Sequence, residues 1–363
     1  MKKYFTVLSI ISAGLLIITS CKKTHNVDIA PNYTVPTTYN FTNANYADAT
    51  TRLGMATEMA NLMNTATTGV VDGQRLLNMF TNTNSPFATA AYNTSGIQIK
   101  DQCFAQLQTD IPNFIDSIVM VSKSTQPASR GVAGIGASSV TPATKYPQTA
   151  TGVNYVQIFK KSIMGGLVCY EIVNNYMVNG IAGSVDNTTV VPGSGTAMEH
   201  NWDLAFGYWG VPVNFPTNKT GAVYWGSYTT QIDSGYDANM ILMDAFLKGR
   251  AAISNKDMTG TKAQATIIMQ TFERATGAAA LQEINEIKEA LTDNVKRNSA
   301  LSECYGFVNS LKYNPARKIT DAQINAILAL FPKNFWDLTP ADIDNIQNAI
   351  ATQYNFQDVK DIL

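Results

Sequence analysis

Residues 198–210 read MEHNWDLAFGYWG, and place Glu199, His200 and Asp203 together in a chain otherwise poor in charge. An imidazole and a carboxylate three residues apart on a helix are neighbours. They can share a metal ion, the carboxylate can orient the ring as a general base, or the two can form a structural hydrogen bond. At about 100° per residue, His200, Asp203 and Gly207 fall within an arc of about 60°. Glu199 flanks that arc and could add a third oxygen. Gly207, one turn on, would leave open space above the pair. Trp202, Phe206 and Trp209 fall on a separate arc of similar width, the spacing of a packed aromatic stripe.

Two side chains are fewer than the three a catalytic zinc usually takes from the protein. The other histidine, His25, lies close to the N-terminus, so a metal site would need carboxylates from elsewhere, with Glu58, Asp233 and Asp237 as candidates. A zinc-protease helix with two histidines is excluded. The chain also lacks a phosphate-binding glycine loop, a twelve-residue calcium loop and a nucleophile elbow. Cys103, Cys169 and Cys304 match no zinc spacing and read as buried free thiols.

The elements that must position these residues read as helices. Leu53, Ala56, Met59, Ala60 and Met63 recur at helical steps, and a second helix follows Asp72. Residues 102–121 keep an apolar face, with a kink or fresh start expected at Pro112. A helix runs from Tyr155 to about Val178, and helices resume near Asp237. Leu281, Ile284, Ile287, Leu291 and Val295 form a stripe, with Glu283, Glu286, Glu289, Asp293 and Lys296 off it. Thr320 with Gln323, and Thr339-Pro340 with Asp342, have the spacing of helix starts. Loops are expected at 123–153 and 211–235, where Ser, Thr, Gly and Pro concentrate. The fold class is all-α, a helical bundle. Residues 41–363 form one helical domain that those loops could divide into two packed halves, 41–122 with 154–210 and 236–363.

The N-terminus carries a different signal. Lys2 and Lys3 precede an apolar run from Tyr4 to Thr19, short for a membrane span. The run ends in Ile18-Thr19-Ser20-Cys21, which resembles a bacterial lipobox. Residues 1–20 are then a signal peptide, Cys21 the site of lipid attachment, and 21–40 a polar tether. Membrane association is expected through lipid, in the cell envelope and on the outer membrane. Lys22-Lys23-Thr24-His25 lacks the acidic cluster that can direct surface export, so the face stays open. Over 363 residues, 45% are hydrophobic and 15% charged, with a formal charge of −1. That composition supports a sizeable core and excludes the basic patches that nucleic acid requires.

Several short stretches together resemble one lipoprotein family of Bacteroidetes, the domain of unknown function DUF4856. They are Tyr39-Asn-Phe41, Thr51-Arg-Leu53, EHNWDLAFGYWG, Gly249-Arg250-Ala-Ala-Ile253, and Ser302-Glu-Cys-Tyr-Gly-Phe307 to Asn314-Pro315. That family is in turn distantly similar to the imelysin group, helical envelope proteins linked to iron uptake and once assigned as peptidases. The imelysin pattern is Gly-x-His-x-x-Glu; Met198 stands here in place of its Gly, and Asp203 in place of its Glu. The resemblance implies a helical fold and a metal or ligand site at His200 and Asp203, with iron or zinc as the metal.

Three functions follow as expectations. The first is a non-catalytic, lipid-anchored binding protein for a metal, a metal complex or a small ligand near His200 and Asp203. The second is a metal-dependent, peptidase-like hydrolase. The third is a protein- or glycan-interaction module in which Trp209, Tyr224, Trp225 and Tyr228 would stack on sugars if exposed.

Overall fold

The computed structural model describes residues 32–140 and 143–363. The signal segment and Cys21 lie outside the described residues. Helices dominate, as the periodicities predict. In chain order they are α1 (Ala47–Asn64), α2 (Gly73–Thr81), α3 (Ala90–Asn93), α4 (Ala105–Ser122), α5 (Tyr155–Ile163), α6 (Ala197–Trp209) and α7 (Trp225–Gln231). They continue with α8 (Ala238–Ser254), α9 (Met258–Glu289), α10 (Asn294–Ser310), α11 (Asp321–Leu328) and α12 (Pro340–Tyr354). Among the described residues no helix is long and apolar enough to cross a membrane.

The centre is α9, whose 32 residues span about 48 Å at the usual helical rise. Its middle reads Thr276-Gly-Ala-Ala-Ala280 and is buried along its length. Small side chains let neighbours approach: a Cβ on Gly277 would lie 2.3 Å from the Tyr354 ring of α12. Helices α8 and α10 flank α9 on either side in sequence and pack along it.

Residues Val35–Leu363 form one compact unit. The last residues of the expected tether therefore belong to the domain, and Tyr39 is buried with its ring stacked 3.7 Å from that of Phe206. The 123–153 segment carries a small antiparallel hairpin, β1 (Gly134–Ala137) with β2 (Lys145–Gln148), in register Gly134 to Gln148. The 211–235 segment holds α7. Pro112 lies inside an unbroken α4, because Leu107, Ile111, Ile115 and Ile118 all bury one face and packing outweighs one missing backbone bond. The stripe from Leu281 ends at Ile287: α9 stops at Glu289, and Leu291 is exposed in the turn that follows.

Past Ile163 the α5 helix continues as wide π turns over Met164–Cys169 and Glu171–Asn179. Wide turns release backbone carbonyls to other partners. Met164 O accepts from Trp225 Nε1 at 3.0 Å and Gly166 O from the Phe104 amide at 2.7 Å. Gly165 and Gly166 permit this, since a Cβ on either would lie within 2.5 Å of Ser310 or Leu107.

Candidate functional site

Helix α6 is fixed at its start by a capping box, Thr196 with Glu199, and at its end by Gly210 in the left-handed conformation. Its aromatic face is interior: Trp202, Phe206 and Trp209 are fully buried. Trp202 Nε1 donates to Phe246 O at 3.0 Å, and its ring fills the space over Gly249, where a Cβ would lie 2.0 Å away. Gly207 opens no space above His200 and Asp203. Tyr46 and Ala49 of α1 occupy the space its side chain would take.

The carboxylates on the other face turn to Arg250 of α8 rather than to His200. Arg250 Nε meets Asp203 at 2.8 Å, and its Nη1 meets Glu199 at 2.7 Å. Tyr39 donates to the same Asp203 oxygen at 2.8 Å, and the Asn45 amide bonds its other oxygen at 3.3 Å. Phe41 lies under the guanidinium at 5.1 Å. Burial pushes the Asp203 carboxyl above its usual range, against the pull of Arg250. Burial also opposes the charge of Glu199, but bonds from Ser254 and the Thr196 amide, with Arg250, outweigh it and hold that pKa below its usual value. This network ties the 39–45 segment, α6 and α8 together.

His200 is half-buried, with its Nδ1 shielded and without a hydrogen-bond partner. Of the carboxylates proposed to complete a site there, Glu58 bonds the Ala88 and Thr89 amides instead. Asp233 bonds the Asn239 amide. Among the described residues, no group of three or more His, Cys, Asp or Glu is placed to hold a metal ion. With Asp203 and Glu199 already committed to Arg250, this donor set does not fit a resident metal.

A second polar network adjoins the first. Arg52 of α1 meets the Tyr208 hydroxyl at 2.5 Å and the Gln98 carbonyl at 2.6 Å. Glu171, in the π turns, is fully buried nearby and accepts from Asn175. Burial is the main cause that raises its pKa to about 7.

The most chemically loaded place is one that periodicity alone hides. Lys161 of α5, Glu283 of α9 and Glu303 of α10 converge on the Tyr228 hydroxyl of α7. Lys161 Nζ lies 2.5 Å from Glu303 and 3.9 Å from Glu283, while the Tyr228 oxygen lies 3.2 Å and 3.3 Å from the same two. Lys161 also sits 4.2 Å above the Tyr228 ring. Lys161 and Glu283 are 3% and 1% exposed, which makes their charges costly unless paired. Burial, then the charge of Glu303, push the Glu283 carboxyl well above its usual range, against the pull of Lys161.

This cluster forms the end wall of a groove. A cavity of about 420 Å³ is lined by Lys161, Tyr224, Tyr228 and Glu303. It shares Thr57, Asn61 and Val223 with a cavity of about 560 Å³ that reaches Gly207 and Gly210 at the end of α6. The groove runs between α1 and the 210–228 segment. Tyr224 stands in its wall with φ 48° and ψ −120°, a conformation side-chain-bearing residues rarely adopt. Such strain is held by surrounding structure and concentrates where function uses it. Trp209 and Trp225 are fully buried and present no face to a sugar; Tyr224 and Tyr228 are half-buried beside the groove.

Glu303 and Arg250 lie in two short stretches that stand out in the sequence, Ser302–Phe307 and Gly249–Ile253. The available signal was a lone charge inside an apolar run. Nothing in the sequence pairs Arg250 with Asp203, or Lys161 with Glu303, because each pair joins separate helices. Every residue of these networks lies within the stretch that can be compared with known families. A family model described as Domain of unknown function (DUF4856) matches residues 36–357. No curated protein and no solved structure matches the chain. With a match over most of its length, residues 36–357, the chain belongs to the DUF4856 family.

Proposed function

We propose that the protein is a lipid-anchored binding protein of the bacterial cell envelope that holds a small polar ligand, without transforming it, in the groove beside α1. The observation that carries this reading is the end wall of the groove. A buried lysine, the Glu303 carboxyl and the Tyr228 hydroxyl line a concave surface as fixed polar groups, with Glu283 bonded to them from behind. The volumes lie in the range of small-ligand sites, about 300–1,000 Å³. Rigid polar groups on helices are pre-organised, so little ordering entropy opposes binding.

Three features favour binding over catalysis. The thiols of Cys103, Cys169 and Cys304 are buried. Asp203 and Glu199 are committed to Arg250, which leaves His200 without a carboxylate to orient it. The lysine of the groove is held by two carboxyls rather than freed as a nucleophile. Tethering rests on the lipobox-like sequence ending at Cys21, and Cys21→Ala should release the protein from membranes while leaving its fold intact.

Native mass spectrometry of protein purified from its own cells tests the groove. Asn61 is exposed on the groove wall, so Asn61→Trp fills the space without touching the core. A small molecule bound to the wild type and lost from Asn61→Trp supports the reading. A ligand that persists in the variant, or disappears only with His200→Ala, contradicts it. Elemental analysis of the same samples should find no stoichiometric iron or zinc; a metal lost on His200→Ala would restore the metal-site reading.

A further inference from the structure

On another part of the surface, α4, α5, α10 and the turn after α11 enclose a cleft of about 720 Å³. Apart from Gln106, Asp110, Asn309, Lys312 and Lys333, its walls are aromatic or aliphatic. Phe104, Phe114, Tyr155 and Tyr305 are only half-buried there, and their rings lean on one another or on the floor. Phe114 and Tyr155 lie 5.8 Å apart, Phe104 and Tyr313 5.9 Å, and Tyr305 and Phe331 5.3 Å. Aromatic side chains bury about 150–250 Å² each when covered. Rings drawn from separate helices and left open inside a concave wall are a seat for apolar surface, not a packed core.

The charges give that seat a polarity. Asp110 is engaged: Tyr313 donates to one of its oxygens at 2.9 Å and Gln106 to the other at 2.9 Å. Lys312 and Lys333 have no ion-pair partner among the described residues. The cleft therefore offers two free cations at the margin of an apolar well, against one carboxylate that protein donors already satisfy.

We propose that this cleft binds a small amphipathic anion: a flat apolar body between the rings, and one carboxylate-, sulfonate- or phosphate-type head at Lys312 and Lys333. The site is separate from the polar groove, and its ligand is of opposite character, apolar and charged where the groove is polar and balanced.

Two fluorescent probes that differ in charge test it. Anilinonaphthalene sulfonate has a flat aromatic body and one anionic group; N-phenyl-1-naphthylamine has a similar body and no charge. The folded protein should bind the sulfonate saturably at one site. Lys312→Glu with Lys333→Glu should weaken the sulfonate at least tenfold and leave the neutral probe within twofold. Phe114→Ala with Tyr305→Ala should weaken both probes, with near-ultraviolet circular dichroism confirming the fold. Lys333 is exposed and Lys312 half-buried at the cleft margin, and circular dichroism checks both pairs, so the lysine result stands even if the aromatic pair fails to fold. Sulfonate binding unmoved by the lysine reversals overturns the anionic head, and no saturable binding of either probe overturns the site.

Discussion

At the scale of single residues, a small set of charges is buried and paired in the interior. Arg250 is 1% exposed and bridges Glu199 and Asp203. Removing one partner from such a set strands the others, at a cost of about 3–5 kcal/mol. Arg250→Ala should lose stability of that order in urea unfolding, and Arg250→Met with Asp203→Asn should recover part of it. His200→Ala removes only a half-buried ring and should cost far less. Glu171 makes a pH-dependent case. Its carboxyl titrates near 4.5 when free and about 7 in the fold. A raised folded value means that its stabilising share is complete below about 4.5 and is lost as pH rises through about 7. The full difference corresponds to about 3 kcal/mol. Glu171→Gln cannot ionise, so its melting temperature relative to wild type should climb between pH 5 and 8. A flat difference would show that Glu171 ionises as easily inside the fold as outside.

At the scale of elements, legibility in the sequence depended on whether the cause was local. The capping boxes at Thr320–Gln323 and Thr339–Asp342 are both present, because a cap needs only residues three apart. The apolar stripe of α9 is real as far as Ile287. Glu283, assigned to the solvated side of that stripe, is buried because Lys161 and Tyr228 arrive from α5 and α7. No periodicity within one helix carries that information. The same holds for the kink expected at Pro112, which tertiary packing overrides. Glycines report contacts of this kind indirectly. Gly249 sits against the Trp202 ring, which is pinned by its bond to Phe246 and cannot retreat. Gly249→Ala should therefore cost about 1–3 kcal/mol through overpacking. Gly69→Ala, with nothing within 4 Å of the added carbon, is its control. Equal effects at the two positions, measured by thermal unfolding, would show that α6 and α8 can separate freely.

At the scale of the whole molecule, the all-α class follows from composition and periodicity, and the structure has it. The position of the candidate site does not. The residues around His200 looked like chemistry because imidazole and carboxylate are close in sequence. In the fold those carboxylates hold α8, and the open polar surface lies beyond the other end of α6. The short stretches that resemble the family join the same networks: Tyr39 and Phe41 on Asp203 and Arg250, Arg52 on Tyr208, and Glu303 on Lys161. The groove lies between α1 and the 210–228 segment, and the polar groups at its end sit on helices, which suits a binding protein.

The most direct test of that account is electron density from crystals of the protein purified from its own cells. The account predicts a small molecule between α1 and the 220–228 segment, within hydrogen-bond distance of Glu303 or Tyr228. A co-purified ligand seated at His200 instead, or a groove closed by its own side chains, would contradict it.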